Sequence, residues 1–257
     1  MKKSPALVGY STMVRKEVVR ILRIWSQTLL PPVVTMSLYF IVFGGFIGSQ
    51  VANIDGFSYM QYIVPGLVMM SIITGAYMNT VSMVYFAKWQ HVIDEILVSP
   101  MPSWAVIAGY ASGGLIRAFL IGILVTGVSL FFTHLVVFNL LILFGAAFLT
   151  ALIFSLAGIV NAIYAKSFDG ISIVPSFVLT PLTYLGGVFY SISLLPPFFA
   201  KLSLANPILY MVNAFRYGFL GVTDVAITHC FAVMGAFTIV LLVWVLVLFR
   251  IGVGLKR

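Results

Sequence analysis

Six stretches of this chain are long and apolar enough to cross a lipid bilayer, and no other feature limits the fold as severely: residues 29–47, 59–84, 104–132, 139–164, 171–189 and 228–249. Crossing the hydrocarbon core as a helix takes about 20 apolar residues. Inside it, every backbone polar group must be satisfied within the protein, which a helix does along its own length. The six stretches consume most of the 257 residues. Residues 1–257 are therefore expected to form a single all-α integral membrane domain, with 1–28 preceding a six-span region over 29–257. A soluble domain usually carries about 25% charged residues, whereas this chain has 8%, with 62% hydrophobic.

The formal net charge of +8 is unevenly placed. Lys2, Lys3, Arg15, Lys16, Arg20 and Arg23 precede the first span, Lys88 follows the second, Lys166 the fourth, and Arg250, Lys256 and Arg257 the last. Eleven of fourteen basic residues thus share one side, leaving Lys201 and Arg216 opposite and Arg117 inside the third span. Such a bias marks the basic side as cytoplasmic, with both termini there. It argues for a membrane and against nucleic acid as partner. Arg15, Lys16 and Glu17 interrupt the apolar core that a cleaved signal peptide needs, so the first span is expected to be retained. Cys230 is the only cysteine, which excludes an intrachain disulfide.

Three segments outside the spans carry a pattern. Over 14–25, Val14, Val18, Ile21, Leu22 and Trp25 share one helical face, and Lys16, Arg20, Arg23 and Gln27 share the other. This amphipathic helix reads either as an interface anchor on lipid headgroups or as a docking surface for a cytoplasmic partner. Over 85–102, Tyr85, Trp89, Val92, Ile93 and Ile96 form a stripe, with Lys88, His91, Asp94 and Glu95 off it. Pro100 and Pro102 stop the pattern, and a rigid, protruding cytoplasmic helix is expected. Residues 190–227 are long, apolar and broken by Pro196, Pro197 and Pro207. A re-entrant outer segment before the last span fits, because irregular backbone at membrane depth survives only when buried in protein or lining a cavity.

Candidate chemistry is sparse. The chain has no phosphate-binding G-x-x-x-x-G-K-[ST] loop, and none of its six carboxylates is expected mid-span, where ion-coupled transporters keep them. His91, His134 and His229 are scattered, so no metal site is expected. Catalysis by this chain alone has no support. Two readings stand for Arg117: contact with an anionic or polar substrate, or a structural arginine bonded to a neighbouring span, with Gly113, Gly114, Ala118 and Gly122 permitting close packing. Thr180 is more often interhelical glue than a ligand. Tyr39, Phe40, Tyr62, Tyr184, Phe189 and Tyr190 form either an amphipathic conduit or an interface belt. Pro65, Pro175 and Pro181 are expected to kink spans two and five.

One run, Leu179-Thr-Pro-Leu-Thr-Tyr-Leu-Gly-Gly-Val-Phe-Tyr-Ser-Ile-Ser-Leu-Leu-Pro196, followed by Asn206-Pro-Ile-Leu-Tyr210 and Arg216, resembles the ABC-2 family of transporter permeases. Glu95-Ile-Leu-Val-Ser-Pro100 is similar to that family's coupling helix, and Gly56-Phe-Ser-Tyr-Met-Gln-Tyr-Ile-Val-Pro-Gly66 to a bacterial inner-membrane subgroup. The resemblance implies two copies of the permease and two separate cytoplasmic ATPase subunits, exporting a lipid, polysaccharide, drug or small molecule. It implies no cofactor on this chain, ATP and Mg being bound by the ATPase. On these residues, Arg20, Arg23, Trp89, His91, Asp94, Glu95, Pro100 and Asp169 would dock the ATPase. Tyr39, Tyr62, Arg117, Thr180, Tyr184, Phe189 and Tyr190 would line the substrate path, with spans two and five as its walls. Pro196, Pro207, Tyr210 and Arg216 would form the outer gate. A stand-alone secondary transporter or channel is the alternative; it leaves the amphipathic cytoplasmic helices without a task.

Overall fold

The computed structural model describes residues 4–48, 50, 53–252 and 254. Lys2, Lys3, Lys256 and Arg257 of the basic pattern lie outside the described residues. Among the described residues, ten helices longer than one turn account for the architecture. A leading helix, α1 (Pro5–Arg23), precedes the first span, α2 (Trp25–Ile47). The second span, α3 (Tyr59–Trp89), leads through the short α4 (Val92–Val98) into the third, α5 (Ser103–Ser129). Then come α6 (Leu140–Tyr164) and α7 (Phe168–Leu185), the fourth and fifth spans. Two shorter helices, α8 (Pro197–Leu204) and α9 (Pro207–Leu220), precede the sixth span, α10 (Ile227–Ile251). Among the described residues, six helices therefore meet the length and hydropathy of a membrane crossing, as the apolar pattern predicts.

The helix α3 is the central column. Of its most apolar stretch, 72% is buried, against 11% for α2 and 17% each for α7 and α10. Between helices in lipid there is no hydrophobic driving force, so close van der Waals packing must hold them, and small residues allow it. Gly114 of α5 fits against Thr80 and Ser155, and Gly158 of α6 leaves only 3.0 Å between a would-be Cβ and the Tyr77 carbonyl. At the end away from α1, Gly66 touches the backbone of Val188. That approach is set up by Gly187, whose φ of +71° turns the chain sharply after α7.

The prolines act differently from one another. α2 begins at Trp25, before Pro31 and Pro32, and resets at Leu29 (φ −107°) so that both prolines fall in the first turn of the next helical stretch. There the missing amide hydrogens are orphans anyway. Pro65 sits inside α3, which continues past it without a break. Pro175 opens a π-wound stretch, Pro175–Leu179, and a second one, Phe40–Ile47, ends α2; such widened turns accommodate a proline or an extra residue in a helix.

The expected single helix over 85–102 is corrected. Tyr85 to Trp89 belong to α3, and His91 takes a left-handed conformation (φ +58°) that ends it. The residue count across His91 is helical but the geometry is not, so the stripe loses phase. Trp89 is 68% exposed while Ile93 is buried at 1%. Only the seven residues of α4 then form a separate helix, tucked by Ile93 onto the core rather than standing free.

Candidate functional site

At the α1 end, several of the candidate docking residues converge. Trp89, His91, Asp94, Glu95, Pro100, Arg23 and Asp169 are all exposed. His91 Nδ1 lies 3.1 Å from Asp94 Oδ2 across the first turn of α4. Lys88 fixes this region to α6: its Nζ donates to the carbonyls of Ile163 at 2.6 Å and Ala165 at 3.0 Å, where helix carbonyls lack amide partners. The rings of Tyr85 and Phe86 hold Phe168, with centroids 6.4 and 6.1 Å apart, so the first turn of α7, which bears Asp169, sits beside the end of α3. One face thus combines the end of α3, α4 and the α6–α7 loop.

Arg20 does not join that face. Its Nη2 donates to Glu17 Oε2 at 2.7 Å and to Asn79 Oδ1 at 2.7 Å, pointing into the bundle. Glu17, 1% exposed, is the group that the sequence reading missed. The signal was present: by helical spacing Glu17 falls on the side of Val14 and Ile21, nearly opposite Arg15.

The candidate path residues separate into three places. Tyr39, Tyr184, Phe189 and Tyr190 come together at the end away from α1. Tyr39 and Tyr184 share a hydrogen bond of 3.2 Å, Tyr184 stacks on Phe189 at 5.5 Å, and Tyr190 donates to the Tyr184 carbonyl at 3.0 Å. Phe43 completes the cluster, 4.9 Å from Phe189. Thr180 continues it along α7, its hydroxyl bonded to the Pro175 carbonyl at 2.9 Å. Ser172, Ser176, Thr180 and Tyr184 are all exposed and recur every four residues, an uncharged polar stripe on a helix whose other exposed residues are mainly apolar. Tyr62, by contrast, is 1% exposed beneath Arg216. Arg117 is at the α1 end, donating to the Thr28 carbonyl at 3.1 Å.

The candidate gate is a tightly bonded unit. Arg216, 1% exposed, donates to the Gly187 carbonyl at 2.6 Å and the Tyr62 carbonyl at 3.4 Å. Its guanidinium lies 4.0 Å over the Tyr62 ring and 3.9 Å from Asp224. Asp224 in turn accepts from the Ser191 hydroxyl. Asn206 caps α9 ahead of Pro207, accepting from the Ile208 amide at 3.0 Å, while its own amide nitrogen donates to Leu182 of α7 at 2.6 Å. Tyr210 ties back to the Leu204 carbonyl at 2.7 Å, and Pro196 precedes α8. Eleven of the fourteen residues of α9 are buried. Among the described residues, no group of His, Cys, Asp and Glu could hold a metal ion.

The sequence profile of the ABC-2 type transporter family matches residues 9–220 of the chain. The chain belongs to that family. Among curated proteins, this ABC-2 permease is 53% identical to the inner membrane transport permease YadH of Escherichia coli (strain K12) over 251 residues, 97% of each chain. It is 24% identical to nodulation protein J of Rhizobium leguminosarum bv. viciae over 187 residues, 72% of this chain and 71% of that one. It is 27% identical to nodulation protein J of Rhizobium meliloti over 188 residues, again 72% and 71%. The family match runs from within α1 to the end of α9, so the α4 face, the aromatic cluster and Arg216 of the ABC-2 permease lie inside it, while Asp224 lies just beyond.

Proposed function

We propose that this chain is the membrane-spanning subunit of an ABC exporter of a bacterial inner membrane, working as a pair of copies with separate cytoplasmic ATPase subunits. The observation that carries the reading is the pairing of an exposed polar face at the α1 end with two largely uncovered spans, α2 and α7. Thr180 and Tyr184 already have partners within the chain, but exposed Ser172 and Ser176 would present hydroxyls to lipid, whereas a polar surface suits them better. The stripe on α7 therefore faces a second copy and the path between the two. α10, equally uncovered, exposes Ile239, Val240, Val243 and Val247 and suits lipid.

The side bearing Arg15, Lys16, Arg23 and Lys166 is cytoplasmic on the positive-inside rule. The end of α1 reaches the membrane surface, as exposed Leu22, with Trp25 opening α2, beside Arg15 and Arg23 supports. Arg23, Trp89, His91, Asp94, Glu95, Pro100 and Asp169 dock the ATPase, and Arg20 braces α1 from within. ATP and Mg belong to that partner. Closure of the ATPases pulls on α4 and α1, and the substrate path opens along α2 and α7, beside Tyr39, Thr180, Tyr184, Phe189 and Tyr190. The walls are then spans one and five, since span two is enclosed by its own protomer. The Arg216 unit, with Pro196, Pro207 and Tyr210, closes its outer end.

Purification of the tagged chain from its native membrane in mild detergent tests this, followed by identification of what co-purifies and assay of ATP hydrolysis. A stoichiometric ATPase is expected; its absence after cross-linking would favour a stand-alone transporter. Charge reversal on α4, Asp94→Lys or Glu95→Lys, is expected to reduce the recovered ATPase roughly tenfold while the permease stays folded. Equal recovery would remove α4 from the docking surface.

A further inference from the structure

Among the described residues Glu17 is the one carboxylate taken fully out of solvent, and its surroundings are built for it. α1 lies along α5 where that helix has glycines one turn apart. A Cβ on Gly109 would fall 3.0 Å from Met13 Cβ, and one on Gly113 would fall 3.0 Å from Glu17 Cγ. The same point is 3.3 Å from both Glu17 Oε2 and Asn79 Nδ2, so the carboxylate reaches α3 through the gap that Gly113 leaves. Tyr10 of α1 and Ser112 of α5 add a hydroxyl contact of 3.0 Å along the same seam.

The donors beside this carboxylate and one turn further along α5 exceed what it uses. Arg20 supplies Nη2 at 2.7 Å and Nε at 3.1 and 3.3 Å. Three further buried groups have no hydrogen-bond partner among the described residues: Asn79 Nδ2, Tyr110 OH and Arg117 Nε. None is on α1; Asn79 belongs to α3 and the other two to α5. Tyr110, Gly113 and Arg117 stand three and four residues apart, which sets them along the face of α5 that α1 covers. Arg117 also holds the Thr28 carbonyl at 3.1 Å, just past the junction of α1 and α2. A buried carboxylate is kept where it is fully paired or where its pairing selects a state. Here one partner set lies on its own helix and a second, unused, on the two helices opposite.

We infer that Glu17 is a positioning residue with two seats. In this structure it sits with Arg20. When α1 turns on α5, the carboxylate passes to Arg117 and Tyr110, and Asn79 follows Arg20 or Glu17 from the α3 side. Movement of α1 is thereby imposed on spans two and three through one buried charge. The inference rests on the exporter reading for what moves α1, and on the geometry above for where that movement goes.

A reversible lock tests it in the complete permease–ATPase complex. In Met13→Cys/Gly109→Cys the two Cβ atoms start at 3.0 Å, slightly inside the about 3.5–4.5 Å of a disulfide, and Met13→Cys removes the sulfur and methyl that a Gly109 side chain would strike. The native Cys230 is buried and far along the chain from the pair. Oxidation is expected to lower ATP hydrolysis roughly tenfold, and reductant to restore it. Identical hydrolysis in oxidised and reduced complexes, with the cross-link verified, would overturn the inference. Glu17→Gln, which keeps shape and removes charge, is expected to lower hydrolysis about as much in complexes that assemble in normal yield; wild-type turnover there would also overturn it. Should Glu17→Gln fail to fold, the lock still decides, because its reduced form is its own folding control. A preparation that never contains an ATPase sinks the exporter reading and this inference with it. An active ATPase indifferent to the lock sinks the inference alone.

Discussion

Arg216→Met is expected to destabilise the protein by about 3–5 kcal/mol, the range for removing one partner of a buried charge pair. Arg216 is almost fully enclosed, and it serves three pieces of chain at once: α3 through the Tyr62 ring and carbonyl, the turn after α7 through Gly187, and the connection into the last span through Asp224. Methionine matches its length and apolar stem but leaves the Gly187 carbonyl without its donor and Asp224 without its nearest cation. Loss of packing is thus small, and the deficit is one of unsatisfied polar groups. Thermal unfolding of the purified protein in detergent reads this directly. Arg216→Lys separates charge from geometry: a point charge on a flexible stem keeps Asp224 company but cannot span Gly187 and Tyr62 together. It should recover less than half of the loss. A methionine variant as stable as the parent would mean that α9 is held by its apolar contacts alone.

Gly66→Val is expected to cost about 3 kcal/mol, the upper part of the range for overpacking. The Cβ would stand 2.5 Å from the Val188 carbonyl oxygen and 2.9 Å from its Cα. These are backbone atoms next to Gly187, which is itself fixed by Arg216, so no side chain can swing aside. The turn after α7 must move away from α3 instead. Two observations would accompany the loss of stability: faster proteolysis within 186–196, and an effect that adds incompletely to Arg216→Met, since both act on one turn. Full additivity would show that the two contacts hold separate parts of the chain.

The spans were legible because a membrane crossing leaves a long, composition-level mark that tertiary context cannot erase. Their ends were less so. α2 starts four residues ahead of the apolar window and α3 runs five beyond it, since a helix continues into polar sequence while its hydrogen bonds and packing allow. The break at His91 was hidden because the residues on both sides suit a helix; only a left-handed conformation separates them. Among the site residues, Tyr39, Tyr184, Phe189 and Tyr190, which the sequence reading grouped, sit close together beside α2 and the end of α7. It also grouped Tyr62 and Arg117 with them, and no periodicity could have told these apart. Tyr62 is claimed by an arginine more than 150 residues away, and Arg117 by a carbonyl at the opposite end of the bundle. Glu17 was the hardest to see. A carboxylate among arginines and a lysine suggests solvent, and the room for it is left by Gly113 of another helix.

The two π-wound stretches, Phe40–Ile47 and Pro175–Leu179, occur in α2 and α7, the uncovered spans beside the aromatic cluster. α3, the enclosed one, is α-wound from end to end. A π turn holds a residue more than an α turn does. Returning it to α winding lengthens the helix by about 1.5 Å and rotates everything beyond it by about 100°. The protein therefore stores its slack in the two helices that have open space beside them, and keeps none in the column around which they stand.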